Sequence, residues 1–381
     1  MKKVAYSYWG FLADIKLDSN YNELSTPDGN AFYSWSIIQE LQNRDYDVLT
    51  IMPDRDQYAV TKYGRNAFSA WATDKRYSAY NKCDHVAYSH MNKSSVFSIW
   101  DKYNLNDYDF ILHEWRMLIS GRNDLESKTM ALWQPDYFLQ ECLLEYCKKY
   151  NIKLFIFDLD YKISESDIKD MNNVTILELG NKWKNTSVNA KTVYIPFDFS
   201  SINEFKPSPV NERQYDLVYI GNRYERDWCI NKYIPEILDK CIIYGNWKEA
   251  GRDSETRWPL LKFGKRLQLR DMHDAYDSAI CTILLAKHDY CKYHFMTARI
   301  IEAIFYGCVP LFIREYGDNT IRKFAGQCVN LLTVKSKSDV IQKIDKLRNN
   351  QELYSDILSY LRHRLTKMDV SHFVDILLED L

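Results

Sequence analysis

Apolar positions along the first fifty residues change period twice. Val4 to Trp9 is a short β-favouring run, and a polar stretch with turn residues Thr26-Pro27-Asp28-Gly29 follows it. Phe32, Trp35, Ile38 and Leu41, with Ile37 beside them, then recur at helical spacing. Asp47 to Met52 returns to a strand-like run. This strand, helix, strand order predicts a parallel sheet. Regular patterning resumes at Phe110-Ile111-Leu112, continues in a helical segment near Asp136 to Tyr150, and reaches a buried strand, Lys153 to Asp160, that ends in acids. Val174 to Leu179 is a further strand. Val193-Tyr194-Ile195-Pro196 leads into a linker.

The pattern restarts after Phe205 to Arg213, a segment holding Pro207 and Pro209. Tyr215 to Ile220 is a strand, Gly221-Asn222-Arg223 a turn, and a helix runs on through Ile237. Cys241 to Tyr244 is a strand. Arg270 to Ala279 is helical and Ile280 to Ala286 is a buried strand. Thr297 to Tyr306 is a helix closed by Gly307, Val309 to Ile313 is a strand, and helix continues from about Ser338 to the end. Residues 54–105 resist this reading. The plan is α/β, two βα domains in tandem with a helical tail: residues 1–205, residues 206–360, and a helix over 361–381 expected to pack back on the first domain. No fixed-period repeat is visible.

A chain of 381 residues accommodates two domains, and 46% hydrophobic residues supply two cores. The formal net charge of −2 excludes a global basic footprint, although a local basic cleft remains compatible with DNA. The 9 cysteines are scattered with no Cys-x-x-Cys pair, so no zinc site or disulfide framework is expected, and a reduced, cytoplasmic protein is. A monomer is expected. No apolar run is long enough to span a membrane.

Four stretches carry chemistry. Gly221, directly after a strand, lets backbone approach a phosphate, and Arg223 and Arg226 add charge-assisted donors suited to a pyrophosphate. An ordinary tight turn explains the glycine equally well. Thr297 to Pro310 places Arg299 and Glu302 on one helix face, where a carboxylate accepts ribose hydroxyls and a cation holds a diphosphate. Asp158 and Asp160 end a strand, where a general base belongs, and Glu114, beside Trp115 and Arg116, is the competing base. Residues 58–82 interleave rings (Tyr58, Tyr63, Phe68, Trp71, Tyr77, Tyr80) with cations (Lys62, Arg65, Lys75, Arg76, Lys82), as phosphate contact and base stacking require, or as an irregular packed insertion. His288 at a strand end reads as a loop contact to donor phosphate or sugar. No other grouping resembles a metal site.

From Phe295 to Phe312 the sequence resembles the Arg-x-x-Glu helix and following strand of GT-B glycosyltransferases, and within that class the T-even phage DNA β-glucosyltransferase family. The likeness extends to Asp216 to Asn222, to Gly264-Lys265, to Ile280 to Tyr290, and to Lys153 to Ile163. The resemblance implies two Rossmann-like domains with a cleft between them. It implies Arg299 on the diphosphate, Glu302 on the ribose, Gly221 against phosphate, and backbone after Lys265, with Arg266 beside it, on uracil. It makes Asp160 the catalytic base and places a sugar-contacting acid near Asp28. The implied donor is a UDP-sugar, with a divalent cation (Mg2+ or Mn2+) compatible but not readable. The implied acceptor is double-stranded DNA carrying 5-hydroxymethylcytosine, and the sugar is glucose, arabinose or similar. Inverting transfer is expected. A surface glycan or lipid-linked acceptor on the same fold, and a binding module without turnover, are the alternatives.

Overall fold

A computed structural model describes residues 2–7, 29–53, 74–88, 92–115, 134–236, 240–247, 254–267, 269–379 and 381. Asp28, Arg116, residues 58–73 of the aromatic and basic stretch, and Ile237 lie outside the described residues. The chain divides into two compact units, Met1–Phe197 with Val370–Leu381, and Asp198–Asp369.

The first unit holds seven parallel strands: β1 (Lys2–Ser7), β2 (Tyr46–Pro53), β3 (Asp84–Tyr88), β4 (Phe110–Trp115), β5 (Leu154–Asp158), β6 (Val174–Glu178) and β7 (Ala190–Thr192). Their order is β3-β2-β1-β4-β5-β6-β7. The order reverses between β1 and β4, where Tyr6 pairs with Leu112 and Ser7 with His113. Every residue of β4, β5 and β6 is buried, as expected of parallel strands covered on both faces. Helix Gly29–Asn43 buries the predicted stripe of Phe32, Trp35, Ile38 and Leu41. Trp35 packs 5.1 Å from Tyr77, on helix Lys75–Tyr80.

Helix Val370–Leu378 belongs to this first unit. Val370 N–H donates to the Phe197 carbonyl at 3.0 Å, and Phe373 packs 5.2 Å from Phe157 of β5. Arg44 pairs with Asp375 and donates to the Ser371 carbonyl at 3.1 Å.

The second unit has six parallel strands: β8 (Tyr215–Ile220), β9 (Cys241–Tyr244), β10 (Lys262–Gly264), β11 (Ala279–Leu284), β12 (Val309–Ile313) and β13 (Thr333–Val334). Their order is β10-β9-β8-β11-β12-β13, reversing between β8 and β11. The proline segment 205–213 lies inside this unit and is not the division. Arg213 is buried there because Asp277 pairs with it at 3.3 Å and the Ala279 and Ser208 carbonyls accept from it. Residue 361 likewise falls within helix Gln351–Leu365, which stays in the second unit. The expected continuous tail is three helices, Lys337–Arg348, Gln351–Leu365 and Val370–Leu378. Asn350 caps the second of them, its side chain accepting from Leu353 N–H at 2.9 Å.

Candidate functional site

In open parallel sheets, ligands bind outside the carboxyl ends of strands where the strand order reverses. In the second unit that point lies between β8 and β11, and Gly221 follows β8 directly. Its N–H donates to the Tyr244 carbonyl at 2.9 Å, and its carbonyl accepts from Trp247 Nε1 at 2.7 Å. A Cβ on Gly221 would stand 2.4 Å from Tyr219 Oη. Gly245, at φ +139°, presses on the same turn, since its Cβ would meet the Gly221 carbonyl oxygen at 2.1 Å. The turn is therefore built from two glycines, of which Gly245 would meet backbone and Gly221 the end of the Tyr219 side chain.

Arg226 bridges the two strands at the reversal. Its Nη1 donates to the Asn222 and Tyr224 carbonyls at 3.2 and 3.0 Å, and its Nε reaches the Leu285 carbonyl after β11 at 3.4 Å. Arg223 is engaged differently. Its guanidinium makes a two-pronged contact to Asp227 at 2.8 and 2.7 Å, donates to Ser254 Oγ at 3.3 Å, and lies 5.2 Å from the centre of the Trp258 ring.

Helix Arg299–Phe305 carries the Arg299–Glu302 pair, with Nη1 donating to Oε2 at 2.7 Å. Glu302 is buried while Arg299 remains half-exposed. Tyr219 joins this group. Burial raises its phenol pKa, and the nearby charges of Arg226 and Arg299 lower it. Tyr276 is fully buried, and its pKa is raised well above the ordinary value by that burial and then by Glu302. Gly221, Arg226, Arg299 and Glu302 thus share one neighbourhood around Tyr219 and Tyr276. Neither tyrosine is singled out by motif spacing.

The far end of helix Arg299–Phe305 is held by Arg362. Its guanidinium donates to the Ile304, Phe305 and Phe205 carbonyls at 3.2, 2.6 and 2.9 Å. A cation there complements the negative end of the helix. Burial lowers the Arg362 pKa to about 10. Tyr354 Oη donates to the Gly307 carbonyl at 2.5 Å. Gly307 itself, at φ +81°, lies against Pro207.

Lys265 and Arg266 are exposed just after β10. His288 is exposed at the start of helix His288–Lys292, and its ring stacks on Trp228 at 4.6 Å and 15°.

In the first unit the expected acids sit at strand ends. Glu114 is buried, and its Oε1 accepts from Tyr6 Oη at 2.7 Å and Ser34 Oγ at 2.9 Å. His113 is beside Ser7 Oγ at 3.0 Å, and burial lowers its pKa to about 3. Trp115 does not suit the acceptor contact expected of it. It is fully buried in the hydrophobic core with Ile111, Leu139 and Leu143, because its position in β4 puts it on the same sheet face as Ile111. Asp160 follows β5 half-buried, and Asp158 is fully buried with its pKa raised to about 6, burial being the main cause. Among the described residues, no three His, Cys, Asp or Glu side chains come together as a metal site, and no helix is long and apolar enough to cross a membrane.

No protein-family profile and no curated protein sequence matches this chain. Solved structures do. The T4 phage β-glucosyltransferase is 14% identical over 96% of this chain and 94% of its own, with a TM-score of 0.57. The same enzyme in complex with UDP and Mn2+ is 15% identical, covering 96% of this chain and 95% of that one, with a TM-score of 0.56. A Thermobaculum terrenum O-GlcNAc transferase mutant is 10% identical over 100% of this chain and 66% of its own, with a TM-score of 0.54. At these identities the likeness establishes the fold. The chain has the GT-B fold, and its structural neighbours are glycosyltransferases.

Proposed function

We propose that this chain is a UDP-sugar-dependent glycosyltransferase that moves a sugar to the hydroxymethyl group of 5-hydroxymethylcytosine in DNA. The observation that carries the donor half is the Arg299–Glu302 pair beside the Gly221 turn, at the strand-order reversal of the second unit. A buried carboxylate accepts hydrogen bonds from ribose hydroxyls. The half-exposed guanidinium of Arg299 and that of Arg226 neutralise a diphosphate. Gly221 carries no Cβ, so its backbone can approach a phosphate closely. Support for UDP and for a DNA acceptor comes from the matched structures: the T4 phage enzyme, described as a DNA modifying enzyme, has been solved with uridine diphosphoglucose and with UDP and Mn2+.

The reaction is a direct displacement. The hydroxymethyl oxygen attacks the anomeric carbon, Asp160 takes its proton, the bond from that carbon to the diphosphate breaks, and UDP leaves with the electron pair. Inversion at the anomeric carbon follows. Arg299 and Arg226 stabilise the charge that develops on the leaving diphosphate. A base in duplex DNA must be flipped out to reach the acid.

The test measures UDP release with each UDP-sugar in turn, in the presence of 5-hydroxymethylcytosine DNA, unmodified DNA, or no acceptor. Release that depends on the hydroxymethylated DNA supports the reading. Release that is indifferent to DNA removes the acceptor and leaves the donor site standing.

A further inference from the structure

β5 delivers two carboxylates onto one turn, and their surroundings differ. Asp158 is 0% exposed, and its Oδ1 accepts from Lys162 N–H at 2.8 Å. Among the described residues its Oδ2 makes no hydrogen bond, and Lys182 Nζ stands 3.6 Å away. Lys182 arrives from the segment after β6 and donates to two carbonyls of the turn, Tyr161 at 3.1 Å and Ile163 at 2.5 Å. Its ammonium lies 4.6 Å from the centre of the Trp183 ring. Tyr161 is at φ 56°, a left-handed conformation that a bulky residue adopts only when its surroundings hold it there. Asp160 sits between these two anchors, one residue before Tyr161.

Among the described residues, the charged groups facing Asp158 are few. Lys182 and the backbone N–H groups of Lys162 and Ile163 favour its ionised form, while Asp160 and, above all, burial oppose it. Glu178 ends the neighbouring strand β6, with its carboxylate toward Trp183 N–H at 3.3 and 3.4 Å. On the other side β4 presents Trp115 opposite Asp158.

We propose that Lys182, with buried Asp158 as its counter-ion, is a positioning residue that fixes the turn 159–163 and so sets the aim and the local field of Asp160. This rests on the reading of Asp160 as the proton acceptor. Removing the ammonium frees two carbonyls of a strained turn and leaves a buried carboxylate without its cation. The first effect loosens Asp160. The second raises the proton affinity of Asp158, so the carboxyl that anchors the turn is protonated at a higher pH.

The experiment compares Lys182→Met, Lys182→Arg and the double variant Lys182→Met/Asp158→Asn in the full chain, each shown folded by circular dichroism. Amide hydrogen exchange of residues 159–163 is followed together with kcat, KM for the UDP-sugar, and the pH dependence of kcat. In Lys182→Met the turn amides exchange at least about tenfold faster. Its kcat falls about 10- to 100-fold, with KM for the donor little changed, because a small misplacement of a reacting group costs that much. The acid limb of its kcat profile moves to higher pH. Lys182→Arg restores most of kcat and the limb. The double variant returns the limb toward lower pH while kcat stays low. Unchanged turn exchange in Lys182→Met overturns the proposal. So does an unmoved acid limb with the Met and Arg variants equally impaired, which is what a merely structural lysine gives. Asp160→Asn separates the two ideas. Full turnover in that variant removes Asp160 as the base and the proposal with it, whereas its inactivity beside an unaltered Lys182→Met overturns the positioning role alone.

Discussion

Arg299 Nη1 donates to Glu302 Oε2 at 2.7 Å, one turn along the same helix, and the two differ in exposure, 37% against 3%. The buried carboxylate relies on the partly exposed cation. Arg299→Met should therefore destabilise the free protein by about 1–3 kcal/mol, the cost of leaving a buried charge without its partner. It should also weaken UDP binding by roughly 10- to 100-fold, as loss of one charge-assisted contact does. Adding Glu302→Gln should recover the stability and not the UDP affinity. Denaturant unfolding and calorimetric titration with UDP read the two effects separately.

The glycine turn makes a sharper prediction about backbone. Gly245→Ala puts a Cβ 2.1 Å from the Gly221 carbonyl oxygen at φ +139°, and a main-chain atom cannot swing aside. The variant should lose about 2–4 kcal/mol of stability, seen as a lower Tm. Gly221→Ala meets the far end of the Tyr219 side chain, its hydroxyl at 2.4 Å and Cζ at 2.8 Å, rather than backbone. It should cost less stability and yet raise KM for the donor.

Arg362 tests the support behind the donor helix. Arg362→Met removes a donor from the carbonyls of Ile304, Phe305 and Phe205, which accept from it at 3.2, 2.6 and 2.9 Å, and the Ile304 carbonyl keeps Gly307 N–H. A loss of about 2–4 kcal/mol is expected in urea unfolding, with Lys at this position recovering only part because it lacks the planar fork.

Asp158 and His113 give opposite pH signatures. The Asp158 carboxyl has its pKa raised by burial to about 6, so its contribution to stability is present below the unfolded value of 3.8 and is lost as pH rises through about 6. Asp158→Asn should accordingly be more stable than the parent at about pH 8, by about 2–3 kcal/mol, and near parity at about pH 4. The same variant should turn over more slowly, a stability gain at the expense of function. His113 has its pKa lowered by burial to about 3, so stability falls as pH drops below the ordinary 6.5. His113→Gln should flatten that acid loss. Urea titrations across the range decide both.

Long, fully buried strands were legible because nothing interrupts their apolar runs. β5 and β11 follow directly from Leu154–Asp158 and Ala279–Leu284. β3 escaped within residues 54–105, since Asp84-His85 opens it and its neighbours carry no regular period. β10 is three residues long, Lys262–Gly264, and begins on an exposed lysine. The division of the chain was misread because Pro207 and Pro209 look like a linker, whereas Arg213 and Asp277 bury that segment. Among candidate site residues, the helical spacing of Arg299 and Glu302 and the glycine after β8 could be read directly. Lys182 could not, because its partners at Asp158, Tyr161 and Ile163 are brought to it only by the pairing of β5 with β6. Trp115 read as a site aromatic beside Glu114, but alternation along β4 sends the two to opposite faces.

The most direct test of the account is the product itself. The protein is incubated with 5-hydroxymethylcytosine DNA and a panel of UDP-sugars, and the digested nucleosides are weighed by mass spectrometry. One hexose or pentose mass is expected on the 5-hydroxymethylcytosine nucleoside and on no other, and none of it with Asp160→Asn. UDP-sugar consumption with every nucleoside mass unchanged would contradict DNA as the acceptor.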